Sequence, residues 1–199
     1  MRILAVGTAG DVGKAAVAEL KPRHEIITAG RSSGDVRVDL LDASSISAMF
    51  EKLGKLDAVV ACAGPAHYGP LAGMTETQFM KGLKDKLMGQ VNLVLLGTPY
   101  VNDRGSFTLT SGVLDRDPIL KGVNGATVNA ALKGFVTAAA IELERGIRIN
   151  VVSPGLLEDS EKKYAGLFPG QEMVSSKRVG LAYAKSVEGV LTGQVIIIA

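Results

Sequence analysis

Short apolar, β-branched runs alternate along this chain with longer segments in which apolar residues recur at helical spacing. Strands are predicted over residues 2–6, 25–28, 36–38, 56–61, 106–110, 147–152 and 194–198, and helices over 12–20, 45–53, 79–96, 127–143 and 174–188. Strand and helix taking turns in this way is the pattern of βαβ units, whose crossovers lay successive strands parallel in one sheet. The run Asp57-Ala58-Val59-Val60-Ala61 is nearly all apolar, so both faces need covering and helices are required above and below the sheet. The pattern predicts an α/β protein: a three-layer, doubly wound, Rossmann-like fold around a parallel sheet of about seven strands. Breaks at Gly54, Gly64-Pro65, Gly105, Gly146, Pro154-Gly155 and Gly193 are read as falling between elements. None is long enough to divide the chain, so residues 1–199 are expected to form a single domain.

Composition narrows the class of partner. With 22 Lys and Arg against 20 Asp and Glu, the formal charge is only +2 and no basic run appears, which leaves no electrostatic footprint for nucleic acid or an anionic membrane. A small molecule is the expected partner, and no metal is expected. The single cysteine, Cys62, lies in an apolar run without a partner for an internal bridge, which fits a reducing compartment, by default the cytoplasm. The apolar stretch at residues 1–6 is too short for a signal sequence, and no other stretch is long enough to span a bilayer. Apolar residues on more than one face of the helices over 79–96 and 127–143 suggest a homodimer or homotetramer.

Chemistry enters at the first strand-to-helix turn, Gly7-Thr8-Ala9-Gly10-Asp11-Val12-Gly13. Between a strand and a helix such a turn binds a dinucleotide. Gly7 permits the tight bend, Gly10 removes bulk where a pyrophosphate approaches, and Gly13 lets the helix pack closely on the strand. The helix N-terminus, with Thr8 and Val12 beside it, offers unpaired amides and a partial positive charge to the phosphates. Asp11 would repel a pyrophosphate, and is expected to cap the first helix instead. The second strand ends in Gly30-Arg31-Ser32-Ser33. A guanidinium with adjacent hydroxyls favours a 2′-phosphate, hence NADP over NAD; the plainer alternative is a solvated surface arginine.

With the Gly-rich turn, Arg31, Asp39-Leu40, Ala61-Cys62-Ala63-Gly64, the run from Ser106 to Ser111, and Ile147-Arg148-Ile149-Asn150-Val151-Val152-Ser153-Pro154-Gly155 in this order, the chain resembles the short-chain dehydrogenase/reductase family over almost its whole length. The resemblance implies that Asp39 and Leu40 meet the adenine, that Ala61 and Gly64 border the adenosine ribose, and that Pro154-Gly155 lies against the nicotinamide. Gly64 and Pro154-Gly155 also read as simple loop breakers. In this family hydride passes between a nicotinamide and a carbonyl or alcohol. A tyrosine acts as general acid/base, a lysine lowers its pKa, a serine holds the substrate oxygen, and an asparagine commonly completes the set. Ser111 matches the serine, or else caps its own turn.

The other three positions depart from the family. Gly125 stands where the tyrosine is expected, Asn129 at the lysine, and Lys86 at the asparagine. Lys133, a full helical turn beyond Asn129, is too displaced to replace the missing amine. Lys86, if buried beside a cofactor, would have a lowered pKa and could serve as proton donor; the duller alternative is a lysine that pairs with an anion or reaches solvent. His67, Tyr68, Asp115 and Asp117 are further loop candidates, each read as surface structure. The resulting expectation is an NADP-dependent oxidoreductase of a small carbonyl or alcohol, with Ser111 and Lys86 as catalytic residues. Two alternatives stand beside it: an NADP(H)-binding sensor that has lost turnover, and a non-redox isomerase or lyase on the same scaffold.

Overall fold

In the computed structural model, which describes residues 1–199 apart from the side chains at positions 163 and 165, each predicted strand appears in the main sheet. In chain order the elements are β1 (Arg2–Val6), α1 (Asp11–Leu20), β2 (Glu25–Gly30), β3 (Val36–Arg37), α2 (Ala43–Leu53), β4 (Leu56–Ala61), α3 (Glu76–Gly82), a π-helical turn (Leu83–Met88), α4 (Gly89–Gly97), β5 (Val101–Thr110), α5 (Val123–Glu142), β6 (Arg148–Pro154), β7 (Leu156–Leu157), α6 (Glu161–Tyr164), β8 (Met173–Val174), α7 (Ser176–Glu188) and β9 (Val195–Ile198). Seven strands form one parallel sheet in the order β3-β2-β1-β4-β5-β6-β9, while β7 and β8 pair apart from it.

The period of two along the strands sorts the core into two layers. On β4, Val59 and Ala61 join Phe50 of α2, Leu93 of α4 and Leu132 of α5. Their neighbours Ala58 and Val60 point the other way, to Ala16 of α1 and Tyr183 of α7. Consecutive apolar residues in this strand are therefore the direct consequence of having helices on both faces. The chain winds outward from β1 through β2 to β3, then returns to β4 on the other side of β1. The two crossovers leave in opposite directions and open a crevice beyond the carboxyl ends of β1 and β4, where open α/β sheets place their ligands.

The structure departs from the sequence pattern at several points, each for a local reason. Strand β5 starts at Val101, so Gly105 lies inside it rather than between elements. A side chain at 105 would come within 2.6 Å of the Asp57 carbonyl, next to the register shift between Leu56 and Ala58; the glycine marks a close approach of backbones. Helix α5 starts at Val123 because Asn124, fully buried, uses its side chain to accept from the His67 amide and to donate to the Phe79 carbonyl. Val174 belongs to β8, and α7 begins after Ser175, whose hydroxyl accepts from the Arg178 amide. Asp11 does not cap α1. The N-cap is Gly10, whose extended backbone is the cap conformation, while Asp11 is already helical and accepts from Ser160 Oγ at 2.7 Å. Among the described residues no helix is long and apolar enough to cross a membrane.

Candidate active site

At the mouth of the crevice, Gly7 turns the chain with φ near +81°, and a side chain on Gly13 would strike the Gly7 carbonyl at 2.5 Å. These two glycines close the turn onto α1. Gly10 is different: a Cβ there would find its nearest atom, the Gly7 carbonyl oxygen, only at 4.0 Å. The N-terminus of α1 also receives no side-chain cap. An open approach to uncapped first-turn amides, with Thr8 and Val12 on either side, is the donor set that a pyrophosphate needs, so these residues fit a dinucleotide. Asp11, the one anion in this turn, is drawn aside by Ser160 and by Lys14 at 3.8 Å.

A cavity of about 200 Å³ continues from the turn toward the end of β2, walled by Gly30, Arg31, Asp39, Leu40 and Gly64. Its wall holds the residues that the family resemblance assigns to the adenosine. Ala61 is not part of this wall: it is fully buried in the sheet core, and Ala63 takes the lining position. Arg31 and Ser32 are exposed at the rim. Among the described residues nothing hydrogen-bonds the Arg31 guanidinium, whose charge instead acts on Asp85, a wall residue with no motif to announce it. Burial pushes the Asp85 carboxyl above its usual range, Arg31 opposes that, and Asp39 adds to it.

On the other side of Gly64 lies a second cavity of about 240 Å³, with Val12, Lys86, Asn129, Pro154 and Gly155 in its wall. Gly64, at φ near +110°, brings the loop after β4 so close to the π turn that a Cβ would sit 2.5 Å from Lys86 Cα. This contact sets the Lys86 backbone at the pocket edge. Its amine donates to the Ser111 carbonyl at 2.9 Å, and Asn129 Nδ2 donates to the Gly112 carbonyl at 3.2 Å. Ser111 is anchored by its own amide on the Val152 carbonyl. Just before it, Gln90 clamps Thr110, donating to its carbonyl and accepting from its amide, and also holds the Lys86 carbonyl. Ser111 Oγ and Asn129 Oδ1 are buried without a hydrogen-bond partner. Both belong to residues whose backbone or side chain meets the Ser111-Gly112 segment, and buried polar atoms of this kind ordinarily have a partner.

Burial lowers the Lys86 amine to about 8, with the charge of Asp115 working in the opposite direction. The helix α5 supplies no phenol. A side chain growing from Gly125 would meet Leu114 Cδ1 at 2.8 Å, and the Tyr68 hydroxyl at 3.7 Å. Tyr68 and Tyr164 both border the cavity.

Asp115 corrects the reading of it as surface structure. Its side chain has no exposed surface, and Lys133 Nζ lies 2.7 Å from Oδ2 at an ion-pair distance outside hydrogen-bond alignment. Arg116 approaches Oδ1 at 3.5 Å and donates to Ser153 Oγ at 2.5 Å, tying the turn after β5 to the end of β6. Asp117 is exposed, as expected. Asp115 was a loop candidate read as surface structure, whereas Gln90, Asn124 and Asp85 were not legible as site residues. Gln90 left a signal: it is one of two amides, with Asn92, in a helix otherwise apolar, and a polar side chain is buried there only if its bonds are met.

Comparison with known proteins agrees with this fold. Residues 4–188 match the family model described as enoyl-(acyl carrier protein) reductase. The structure of the Listeria innocua protein lin1944 is 45% identical with a TM-score of 0.98, each chain covering 100% of the other. A small-chain dehydrogenase solved in complex with NADPH is 25% identical with a TM-score of 0.84, over 98% of this chain and 95% of that one. An uncharacterized oxidoreductase of Mycobacterium bovis is 30% identical over 67% of this chain, which spans 59% of the length of that relative. The fold, the ordered motifs and these matches agree: the chain belongs to the short-chain dehydrogenase/reductase family.

Proposed function

We propose that the protein is an NADP-dependent oxidoreductase acting on a small carbonyl or alcohol through a non-standard active site. One observation carries this reading. The Lys86 amine, at the wall of a cavity that Gly112 and Asn129 also line, donates to the carbonyl of Ser111, whose Oγ, like Asn129 Oδ1, is buried without a hydrogen-bond partner. When bound, the nicotinamide supplies or accepts the hydride. Arg31 and Ser32 hold the 2′-phosphate, Asp39 and Leu40 the adenine, Gly64 with Ala63 the adenosine ribose, and Pro154-Gly155 the nicotinamide face. Ser111 Oγ donates to the substrate oxygen, and Lys86 delivers the proton as that oxygen becomes an alkoxide. The NADPH-bound relative supports the choice of NADP over NAD.

A second reading, an NADP(H)-binding sensor without turnover, is favoured by Gly125 and Asn129 in place of the phenol and its amine. Loss of a positioned acid/base group costs about 10²- to 10⁴-fold in rate, which Lys86 must recover. A non-redox isomerase or lyase on the same scaffold is the third reading. Absorbance at the NADPH band with a panel of aldehydes, ketones and quinones separates them. Turnover abolished by Ser111→Ala supports the oxidoreductase, and tight NADPH binding with no turnover across the panel supports the sensor. Conversion without net cofactor consumption indicates the non-redox enzyme. A homodimer or homotetramer in the cytoplasm completes the proposal.

A further inference from the structure

We propose that the covered Asp115 carboxylate and the partly exposed Lys133 form a control pair that sets the charge state of the Lys86 amine, Asp115 holding the proton on and Lys133 weakening that hold. The inference rests on Lys86 being the proton donor of the function proposed above, and both residues are positioning residues that act through it.

The geometry is that of a carboxylate enclosed by cations. Asp115 ends the short turn Val113–Asp115, directly after the Ser111-Gly112 backbone that Lys86 and Asn129 hold. Its side chain is completely covered, Lys133 of α5 lies against one oxygen at 2.7 Å, and Arg116 against the other at 3.5 Å. A surface carboxylate would be screened by water, but a covered one projects its charge into its surroundings. Lys86 Nζ donates to the Ser111 carbonyl, four residues before Asp115, and from there the charge of Asp115 favours its ammonium against the burial that favours the neutral amine. Lys133 and Arg116 stand on the carboxylate itself and reduce the negative charge that Lys86 feels. Arg116 is fixed to Ser153, whereas Lys133 is partly exposed and links the pair to solvent. The phenols of Tyr68 and Tyr164 border the cavity from the loop after β4 and from α6. Asp85, the neighbour of Lys86 on its own turn, lines the adenosine cavity instead.

Opposite signs follow for the two partners. Removing the carboxylate lowers the Lys86 pKa, because burial and the freed Lys133 then act unopposed. Removing Lys133 raises it, because Asp115 is no longer neutralised. Loosened packing would move both variants the same way, toward the solvent value of a lysine.

The test is a pH titration of the full chain carrying ¹³C at the lysine ε-carbons, with the Lys86 signal assigned by its loss in Lys86→Met. Asp115→Asn is expected to shift the midpoint down by about one unit, and Lys133→Met to shift it up by about half as much. An unchanged or raised midpoint in Asp115→Asn overturns the proposal, as does a shift of both variants in one direction. If Asp115→Asn does not fold, the sign in Lys133→Met decides alone. The pH profile of NADPH oxidation in the same variants provides a separate reading. Midpoints that move as expected while the profile stays fixed leave the control pair standing and remove Lys86 as the proton donor.

Discussion

Lys86 and Asn129 reach from two neighbouring helical segments to consecutive carbonyls, the amine to Ser111 at 2.9 Å and the amide to Gly112 at 3.2 Å. The family pattern carries an asparagine at the first position and a lysine at the second. On the alignment that the resemblance implies, the site keeps one amine and one amide but exchanges the segments that present them, and the positive charge moves to the π turn before α4.

Replacing that amine tests the chemistry and the stability together. With NADPH in excess, carbonyl reduction by the unaltered protein is expected to be level below pH 8 and to fall about tenfold per unit above it, because the donor is then neutral. Lys86→Met should reduce turnover by about 10²-fold or more while leaving NADPH affinity within a few-fold. Its effect on stability has the other sign. The folded-state pKa of about 8 lies below the ordinary lysine value of 10.5, so the unfolded chain binds this proton more readily. This group therefore weakens the fold below pH 8, and the penalty disappears as pH rises toward 10.5. At pH 7 the methionine variant should be more stable by on the order of 1–3 kcal/mol in urea unfolding. A less stable variant would show that Lys86 is held by partners strong enough to offset its burial.

Arg31 separates the two coenzymes. Charge-assisted bonds to a 2′-phosphate are worth about 1.5–3 kcal/mol, so Arg31→Ala should weaken NADPH binding by about 10- to 100-fold and leave NADH nearly unchanged. The preference measured by calorimetry should also narrow as salt is raised, since the side chain sits at an exposed rim. Equal losses for both coenzymes would take the 2′-phosphate away from this residue.

The outline of the fold was readable because it depends on local order: short apolar strands, helical periods and the glycines between them. The glycine turn was readable for the same reason, as Gly7, Gly10 and Gly13 lie together at the end of the first strand. What escaped depends on partners distant in sequence. Gly105 looked like a break because nothing nearby reveals that its open side faces the Asp57 carbonyl. Asp115 looked solvated because the lysine that shares its enclosure comes a helix later. Asp11 looked like a cap because the residue type suits one, but Gly10 already has the required backbone and the carboxylate turns to Ser160.

Gly64 links the two cavities, and its substitution should be felt in both. An alanine there must adopt φ near +110° and place a methyl 2.5 Å from Lys86 Cα, against backbone that cannot swing away. Gly64→Ala is expected to cost about 2–4 kcal/mol, from the combined strain and overlap. A melting curve and an NADPH titration of the variant check this. Unaltered melting and affinity would mean that the loop moves freely past the π turn.

Ile141 on α5 is 88% exposed and Leu95 on α4 is 59% exposed, on the two helices proposed to meet a second copy. Ile141→Glu should yield monomers in light scattering at micromolar concentration where the unaltered chain is larger, since a charge buried against an apolar partner is strongly unfavourable. Monomers from the unaltered chain at that concentration would end the proposal for this face.

The π turn over Leu83–Met88 holds one residue more than a regular helix would, and its neighbour Gln90 keeps the end of β5 in place. Each residue of an α-helix advances the side chains by about 100°, so shortening this stretch by one would swing either the Lys86 amine or the Gln90 amide out of the pocket. A deletion that made the rod straighter and better bonded would thereby silence it. At this point of the chain, the tolerated changes are limited by length before they are limited by residue type.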